Sequence, residues 1–327
     1  MSDEGTTPRV TVWVGEDHVP TLEEILALGR IGIAGIGGSG PLARELADRQ
    51  GHEFTDDIRL LARTEAAAFA LMDPGSRLPT ESLVAVLQAG SDANRPILSM
   101  TPRPGLSPDQ VGESSTVLTA GPLPRPIPRS RSLTWGRRLS DAVNDFGPPS
   151  AASIEISGPS FAGAVGTRLY DAFELLSEWF GFPATIRAIS TTVPATPAMP
   201  EGETVFVMAS YPDGRAASIQ VGAVGGRVHR SATLTGAGGR LQMADGGLDW
   251  SGPRGEGLDF EPPSKPAPGD FADEVAECML AEIDGIVAHR PLEDSVDLLA
   301  ACEATLLSLR TGEPESYDSV RQMLERV

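Results

Sequence analysis

Lysine is almost absent from this chain: of its 26 basic residues one is Lys265, in the loop EPPSKPAPG, and the others are arginines. A mechanism that needs a lysine as Schiff base, proton donor or phosphate ligand must therefore use Lys265. Cysteine is nearly as scarce. Cys278 and Cys302 stand in separate helical patterns and form no CxxC pair, which predicts reduced core thiols and a cytoplasmic setting. The four histidines, His18, His52, His229 and His289, show no metal-ligand spacing, so no metal is expected. His18 reads as a solvated loop residue. Aromatic residues make up 5% of the chain; Trp13, Trp135, Trp179 and Trp250 read as core or interface residues. Positive charge is in the minority, 26 basic against 45 acidic residues, for a net charge of −19. That excludes a nucleic-acid partner, whose phosphates need a basic surface, and predicts a soluble, self-repelling exterior. No apolar run approaches the roughly 18 residues of a membrane span. The N-terminal MSDEGTTPRV lacks the basic-then-apolar order of a signal peptide.

What is present divides into two regimes over 327 residues, enough for two domains. In the first, the apolar runs VTVWV, IGIAGI, AAFALM, PILSM and STVLTA alternate with the helical patterns TLEEILAL, PLARELADRQ, DDIRLLART and TESLVAVLQAG. Continuous apolar strands alternating with helices imply a parallel sheet covered on both faces. The basic, proline-rich stretch 121–139 follows and reads as a linker and helix start. From residue 152 onward, period-two segments and the turn signals YPDG and GAGG read as hairpins of a mostly antiparallel sheet. The helix GTRLYDAFELLSEWFGF, 166–182, interrupts them, with Leu169, Phe173, Leu176 and Phe180 on one face. Closing helices carry the stripes Phe271, Val275, Met279, Ile283, Ile286 and Leu299, Cys302, Leu306, Leu309. The expectation is an α/β, Rossmann-like domain over 8–122 and an α+β open-sheet domain over 123–327.

The segment GIGGSG, residues 35–40, matches GxGxxG, the dinucleotide-binding turn when it follows the first strand of such a sheet. Two registers are open. If residues 30–36 form the first strand, VTVWV is an unexplained addition and the second strand is missing, because 52–65 reads as loop and helix. If VTVWV is first, the order is regular, the turn is Gly15-Glu16-Asp17-His18-Val19-Pro20, and GIGGSG is the loop leaving the second strand. The second register is the more economical.

In that register the chain resembles the Gfo/Idh/MocA family, the glucose–fructose oxidoreductase and inositol dehydrogenase group. The resemblance rests on ARELADRQGHEFTDDIRLLART, AAFALMDP, AGSDANRPILSMTP, GTRLYDAFELLSEWFG, GAGGRLQM and the helical tail, and spans nearly the whole chain. It implies NAD or NADP as cofactor, a sugar-like small molecule as ligand, and a homo-oligomer or a hetero-oligomer with a family paralogue, commonly a dimer through the open sheet. Carried over by position, the family's Glu-Lys-Pro falls on Met100-Thr101-Pro102, its catalytic histidine on Asp171, and an acidic position one turn later on Glu174. The cofactor positions fall on Gly15, Gly37, where the ribose-binding acid is expected, Asp73 and Pro74.

These departures share one direction. Carboxylates in the phosphate-binding turn repel a pyrophosphate, which needs free backbone N–H groups. The family's lysine is a threonine. The chain reads as a dehydrogenase scaffold with an eroded site, a non-catalytic subunit or ligand-binding relative. The alternatives are a divergent NAD(P)-dependent oxidoreductase of a sugar or cyclitol, with Asp171 or Tyr170 as acid–base group, and a lyase or hydrolase using Asp171 with Glu174. Asp171, Glu174 and Glu178, at i, i+3 and i+7, are otherwise a solvated helix face. Arg125, Arg129, Arg131, Arg137 and Arg138 form the densest basic cluster. Either they hold an anion, with Arg129 and Arg131 as ligands, or they balance nearby acids on an exposed linker.

Overall fold

The computed structural model describes residues 7–73, 78–102, 123–161, 163–191, 203–262, 270–286 and 292–325. The chain divides into two compact units: Met1–Pro128 with Phe271–His289 and Val327, and Arg129–Asp270 with Arg290–Arg326. The sequence reading groups 123–327 together; the contacts assign Phe271–His289 to the first unit.

Of the central strands of the first unit, Ala68–Met72 is apolar throughout and Arg9–Val14 is apolar except at Arg9 and buried Thr11, the pattern of strands covered on both faces in a helix-covered parallel sheet. Strands β1 Arg9–Val14, β2 Gly32–Gly38, β3 Phe54–Thr55, β4 Ala68–Met72, β5 Ile97–Ser99 and β6 Arg125–Pro126 pair in parallel in the order β3-β2-β1-β4-β5-β6. Residues 10–14 and 68–72 are buried throughout. The connecting helices are α1 Val19–Ala27, α2 Pro41–Gln50, α3 Ile58–Leu61 and α4 Thr80–Asp92. Pro41 opens α2 and left-handed Gly51 closes it, the asymmetry expected of helix ends. VTVWV is thus the first strand and RIGIAGI the second. The glycine-rich segment is no simple exit loop: β2 runs to Gly38, and Gly40, at φ +92°, caps α2.

Two elements depart from the sequence reading. Residues 52–65 contribute the short β3, paired with Ile36 and Gly37; two extended residues at a sheet edge carry no periodicity. The stretch 121–139 is structured, holding β6, a 3-10 turn at Ser130–Ser132 and the start of α5, Thr134–Phe146. Pro126 is tolerated because β6 is an edge strand. The run STVLTA lies outside the described residues.

Alternation governs the second unit. Along β9, Thr204–Ser210, Val205, Val207 and Ala209 are buried while Phe206 and Met208 are exposed, the pattern of a sheet with one covered face. Nine strands, β7 Pro149–Ser157, β8 Thr185–Ser190, β9, β10 Ala216–Gly222, β11 His229–Gly236, β12 Gly239–Ala244, β13 Gly247–Ser251, β14 Gly257–Glu261 and β15 Glu315–Ser316, follow the order β14-β13-β12-β11-β7-β10-β9-β8-β15. Only β7 and β10 pair in parallel. Both turn signals hold: β9–β10 and β11–β12 are antiparallel hairpins.

Helix α6, Ala164–Phe180, packs on β7, β10 and α8, Leu292–Thr311. Its predicted stripe is buried, but so are Thr167, Arg168, Asp171 and Glu174. The remaining helices are α7, Asp270–Ile283, and α9, Tyr317–Glu325. Cys278 and Cys302 are buried and not joined in a disulfide. Among the described residues no helix is long and apolar enough to cross a membrane, and no group of metal-ligating side chains converges.

Candidate functional site

The strand order of the first unit reverses at β1 and β4, and in such sheets ligands bind outside the carboxyl ends of the strands at that switch point. Gly15, Gly37 and Asp73 are all brought to this edge. The turn after β1 is a 3-10 turn, Glu16–His18, in which the His18 N–H donates to the Gly15 carbonyl at 3.0 Å. Pro20 then sits in the first turn of α1 and withholds one of the N–H groups an anion would use.

Carboxylates fill what glycines leave open. A Cβ on Gly15 would lie 2.5 Å from Asp73 Oδ1, so the bare Cα of Gly15 is covered by the Asp73 side chain. Asp73 Oδ2 in turn accepts from the Ser39 hydroxyl at 2.9 Å. Glu16 lies over Gly40 in the same manner, where a Cβ would collide with its carboxylate. At Gly37 a Cβ would stand 2.6 Å from the Thr55 carbonyl oxygen and 3.1 Å from the Trp13 ring. No acidic side chain fits there to hold a ribose.

His18 is not solvated but 2% exposed. Burial lowers its pKa against the opposing pull of Asp17 and Asp73, so it is neutral at pH 7. The sequence reading missed this because Val19 and Pro20 on its far side gave no sign that the turn folds inward. Negative charge at this edge is therefore uncompensated by His18. A phosphate charge 5 Å from one carboxylate meets about 3 kcal/mol of repulsion at an effective dielectric of 20. The carboxylates of Asp73 and Glu16 thus stand over Gly15 and Gly40, at the turn where the resemblance places the phosphates of NAD or NADP.

At the end of β5, the Thr101 N–H donates to Ser99 Oγ at 3.2 Å. The Thr101 side chain is buried, and among the described residues its hydroxyl has no hydrogen-bond partner. Pro74 and Lys265 lie outside the described residues.

In the second unit, two of the three acids of α6 are buried, against the expectation of a solvated face: Asp171 is 1% and Glu174 0% exposed, while Glu178 is exposed. Buried polar side chains on a helix must find partners. Asp171 Oδ1 accepts from the Ser130 N–H at 2.7 Å and Oδ2 from the Ser130 hydroxyl at 2.7 Å. Arg230 Nε stands 3.7 Å from Asp171 Oδ2 and donates to Ser130 Oγ at 3.2 Å. Glu174 pairs with Arg129 at 3.0 Å and Glu178 with Arg131 at 2.7 Å. Burial raises the pKa of Asp171, opposed by Arg230 and Ser130. Burial pushes the Tyr170 phenol up as well, which removes it as a proton carrier near neutrality.

The basic cluster dissolves into separate pairs. Arg125 meets Glu282 at 2.6 Å, and Arg138 meets Glu261. Arg129 is buried rather than on an exposed linker. Ser130 and Arg230 are the members that sequence reasoning missed. Arg230 did leave a signal: it occupies an inward position of β11, in register with Ala232 and Leu234. An arginine there demands a buried acceptor.

No protein-family model matches the sequence, and no curated protein is similar to it. Solved structures do match. An oxidoreductase from Agrobacterium radiobacter, in complex with NAD+, L-tartaric acid and magnesium, is 15% identical over 96% of this chain and 99% of its own, with a TM-score of 0.68. UDP-N-acetylglucosamine 3-dehydrogenase GnnA from Acidithiobacillus ferrooxidans is 16% identical over 93% and 97%, with a TM-score of 0.63. A putative myo-inositol dehydrogenase from Sinorhizobium meliloti is 15% identical over 95% and 100%, with a TM-score of 0.62. With a parallel sheet in the order of a dinucleotide-binding fold and a mostly antiparallel nine-stranded sheet beside it in sequence, the chain has the fold of the Gfo/Idh/MocA-type oxidoreductases.

Proposed function

We propose that this chain is a dehydrogenase-fold protein that does not carry out NAD(P)-dependent hydride transfer. It acts instead as a non-catalytic subunit or ligand-binding relative of sugar and cyclitol dehydrogenases. One observation carries the reading: Asp73 lies over Gly15 and Glu16 over Gly40, so the chain's own carboxylates stand where a pyrophosphate would approach.

The catalytic positions support it. Oxidation of an alcohol needs a positioned base for the hydroxyl proton. Among the described residues the Thr101 hydroxyl meets no hydrogen-bond partner, and both oxygens of Asp171 are engaged by Ser130. A cytoplasmic setting accords with two buried cysteines that form no disulfide. Pairing with a second copy or a paralogue through the open sheet accords with exposed Ile189, Phe206 and Met208.

The test is calorimetric titration of the purified chain with NAD+ and NADP+, with thermal shift alongside. No binding at millimolar cofactor is the expected result. Binding at micromolar strength would overturn the proposal in favour of a divergent oxidoreductase, with Asp171 the first residue to mutate.

A further inference from the structure

The amino ends of β4 and β5 frame a groove of about 760 Å³, at the sheet edge opposite the carboxyl-end crevice. Its volume is in the range of small-molecule sites, ~300–1,000 Å³. One wall is made of small side chains, Ala85 and Ala89 of α4, which let a ligand approach the helix closely; the rim carries Arg59, Arg63 and Arg95. Arg59 and Arg63 come from the pattern DDIRLLART at i and i+4, and Arg95 from the turn entering β5. Three guanidiniums on one groove are a concentration in a chain of net charge −19.

Their partners are unequal. Arg59 bonds Asp57 through Nε and NH2, each at 3.0 Å, and its charge is answered. Arg95 is held rigidly: NH1 donates to the Thr64 carbonyl at 2.6 Å, and the guanidinium lies 6.0 Å from the centre of the Phe69 ring. Neither bond is to an anion, and its buried Nε finds no acceptor. Burial lowers its pKa, the sign of a cation kept partly from water. Arg63 is exposed and makes no ion pair among the described residues. Glu65 and Asp92 also line the groove, yet neither pairs with Arg63 or Arg95. A partly desolvated guanidinium without an anion is costly, and so is a buried N–H without an acceptor. The Thr64 bond and the Phe69 ring offset part of the first cost; among the described residues nothing accepts from Nε.

We propose that this groove binds a phosphorylated small molecule, its phosphate held between Arg63 and Arg95 and its apolar part lying along Ala85 and Ala89. Two forked donors suit the several oxygens and double charge of a phosphate better than the single charge of a carboxylate. The site is separate from the carboxyl-end crevice, so it stands or falls independently of the loss of hydride transfer.

The experiment is calorimetric titration of the full chain with phenyl phosphate, and with benzoate, at constant ionic strength. Saturable one-site binding of phenyl phosphate is expected, weakened about tenfold or more in Arg95→Gln and in Arg63→Gln, with benzoate weaker than phenyl phosphate. Arg63→Gln leaves the Thr64 bond intact, and so reports on the site even if Arg95→Gln folds poorly. Absence of saturable binding, equal affinity in wild type and Arg63→Gln, or benzoate binding as tightly as phenyl phosphate would each overturn the proposal.

Discussion

His18 shows how one residue's environment reverses what its neighbours suggest. In the sequence it stands between Asp17 and Val19, beside carboxylates that should favour its charged form. In the structure burial outweighs them and lowers its pKa from 6.5. Below pH 6.5 the unfolded chain therefore binds a proton that the folded chain refuses, so stability falls as pH falls through this window, by at most ~1.4 kcal/mol per pH unit. Asp171 acts in the opposite sense, since its raised pKa favours the folded state as pH falls. The comparison must therefore be made between variants. The Tm of wild type should drop from pH 7.5 to pH 5.5 by more than that of His18→Gln; equal drops would show that His18 does not titrate with folding. Conformation at single residues was the least legible level of the sequence. That Gly37 faces the Thr55 carbonyl, or that Asp73 covers Gly15, depends on strands that meet only in the fold.

Elements were far more legible, because their signals are local and repeated. The alternation along β9, the apolar continuity of β1 and β4, and the stripe on α6 all lie within one stretch of chain. The clamp that closes α6 does not: Ser130 and Asp171 are 41 residues apart, and Arg230 reaches Ser130 across 100. This clamp depends on tight packing of the 3-10 turn at Ser130–Ser132 against α5. A Cβ on Gly136 would overlap the Ser130 carbonyl. Gly136→Ala should therefore destabilise the protein, because overpacking costs about 1–3 kcal/mol against ~1 kcal/mol gained from better helix propensity. Gly166, within α6, has no atom near its Cβ position, so Gly166→Ala should stabilise by up to ~1 kcal/mol. Urea unfolding of the two variants gives opposite signs if the packing argument holds. A stabilised Gly136→Ala would mean that the turn yields without cost and that the Asp171 contacts do not depend on it.

Strand order is a property of the whole chain, yet it was readable. Only one register of the glycine motif left every helix and strand in a regular alternation, and β1 in the middle of the sheet is its consequence. Segments too short for a period, β3 and β6, were not readable for the same reason. Charge is the other whole-molecule property, and two effects of salt compete within it. Exposed pairs such as Arg30–Asp273 and Arg49–Glu23 are worth about 0.2–1 kcal/mol each and weaken with salt. A net charge of −19 repels itself in the compact state and is relieved by salt. At 10 mM ionic strength the screening length is about 30 Å, so surplus charges across a whole unit feel one another; at 0.1 M it is about 10 Å, and only neighbours do. Self-repulsion should win, because the acids outnumber the bases that could pair with them by 19. Each kilocalorie of relief raises Tm by about 2–4 °C in a domain of some 150–250 residues. Tm should therefore rise from 10 mM to 300 mM NaCl. A fall would place the stability of this acidic surface in its specific pairs, and would make single charge reversals at Arg30 or Arg49 cost more than the net charge alone allows.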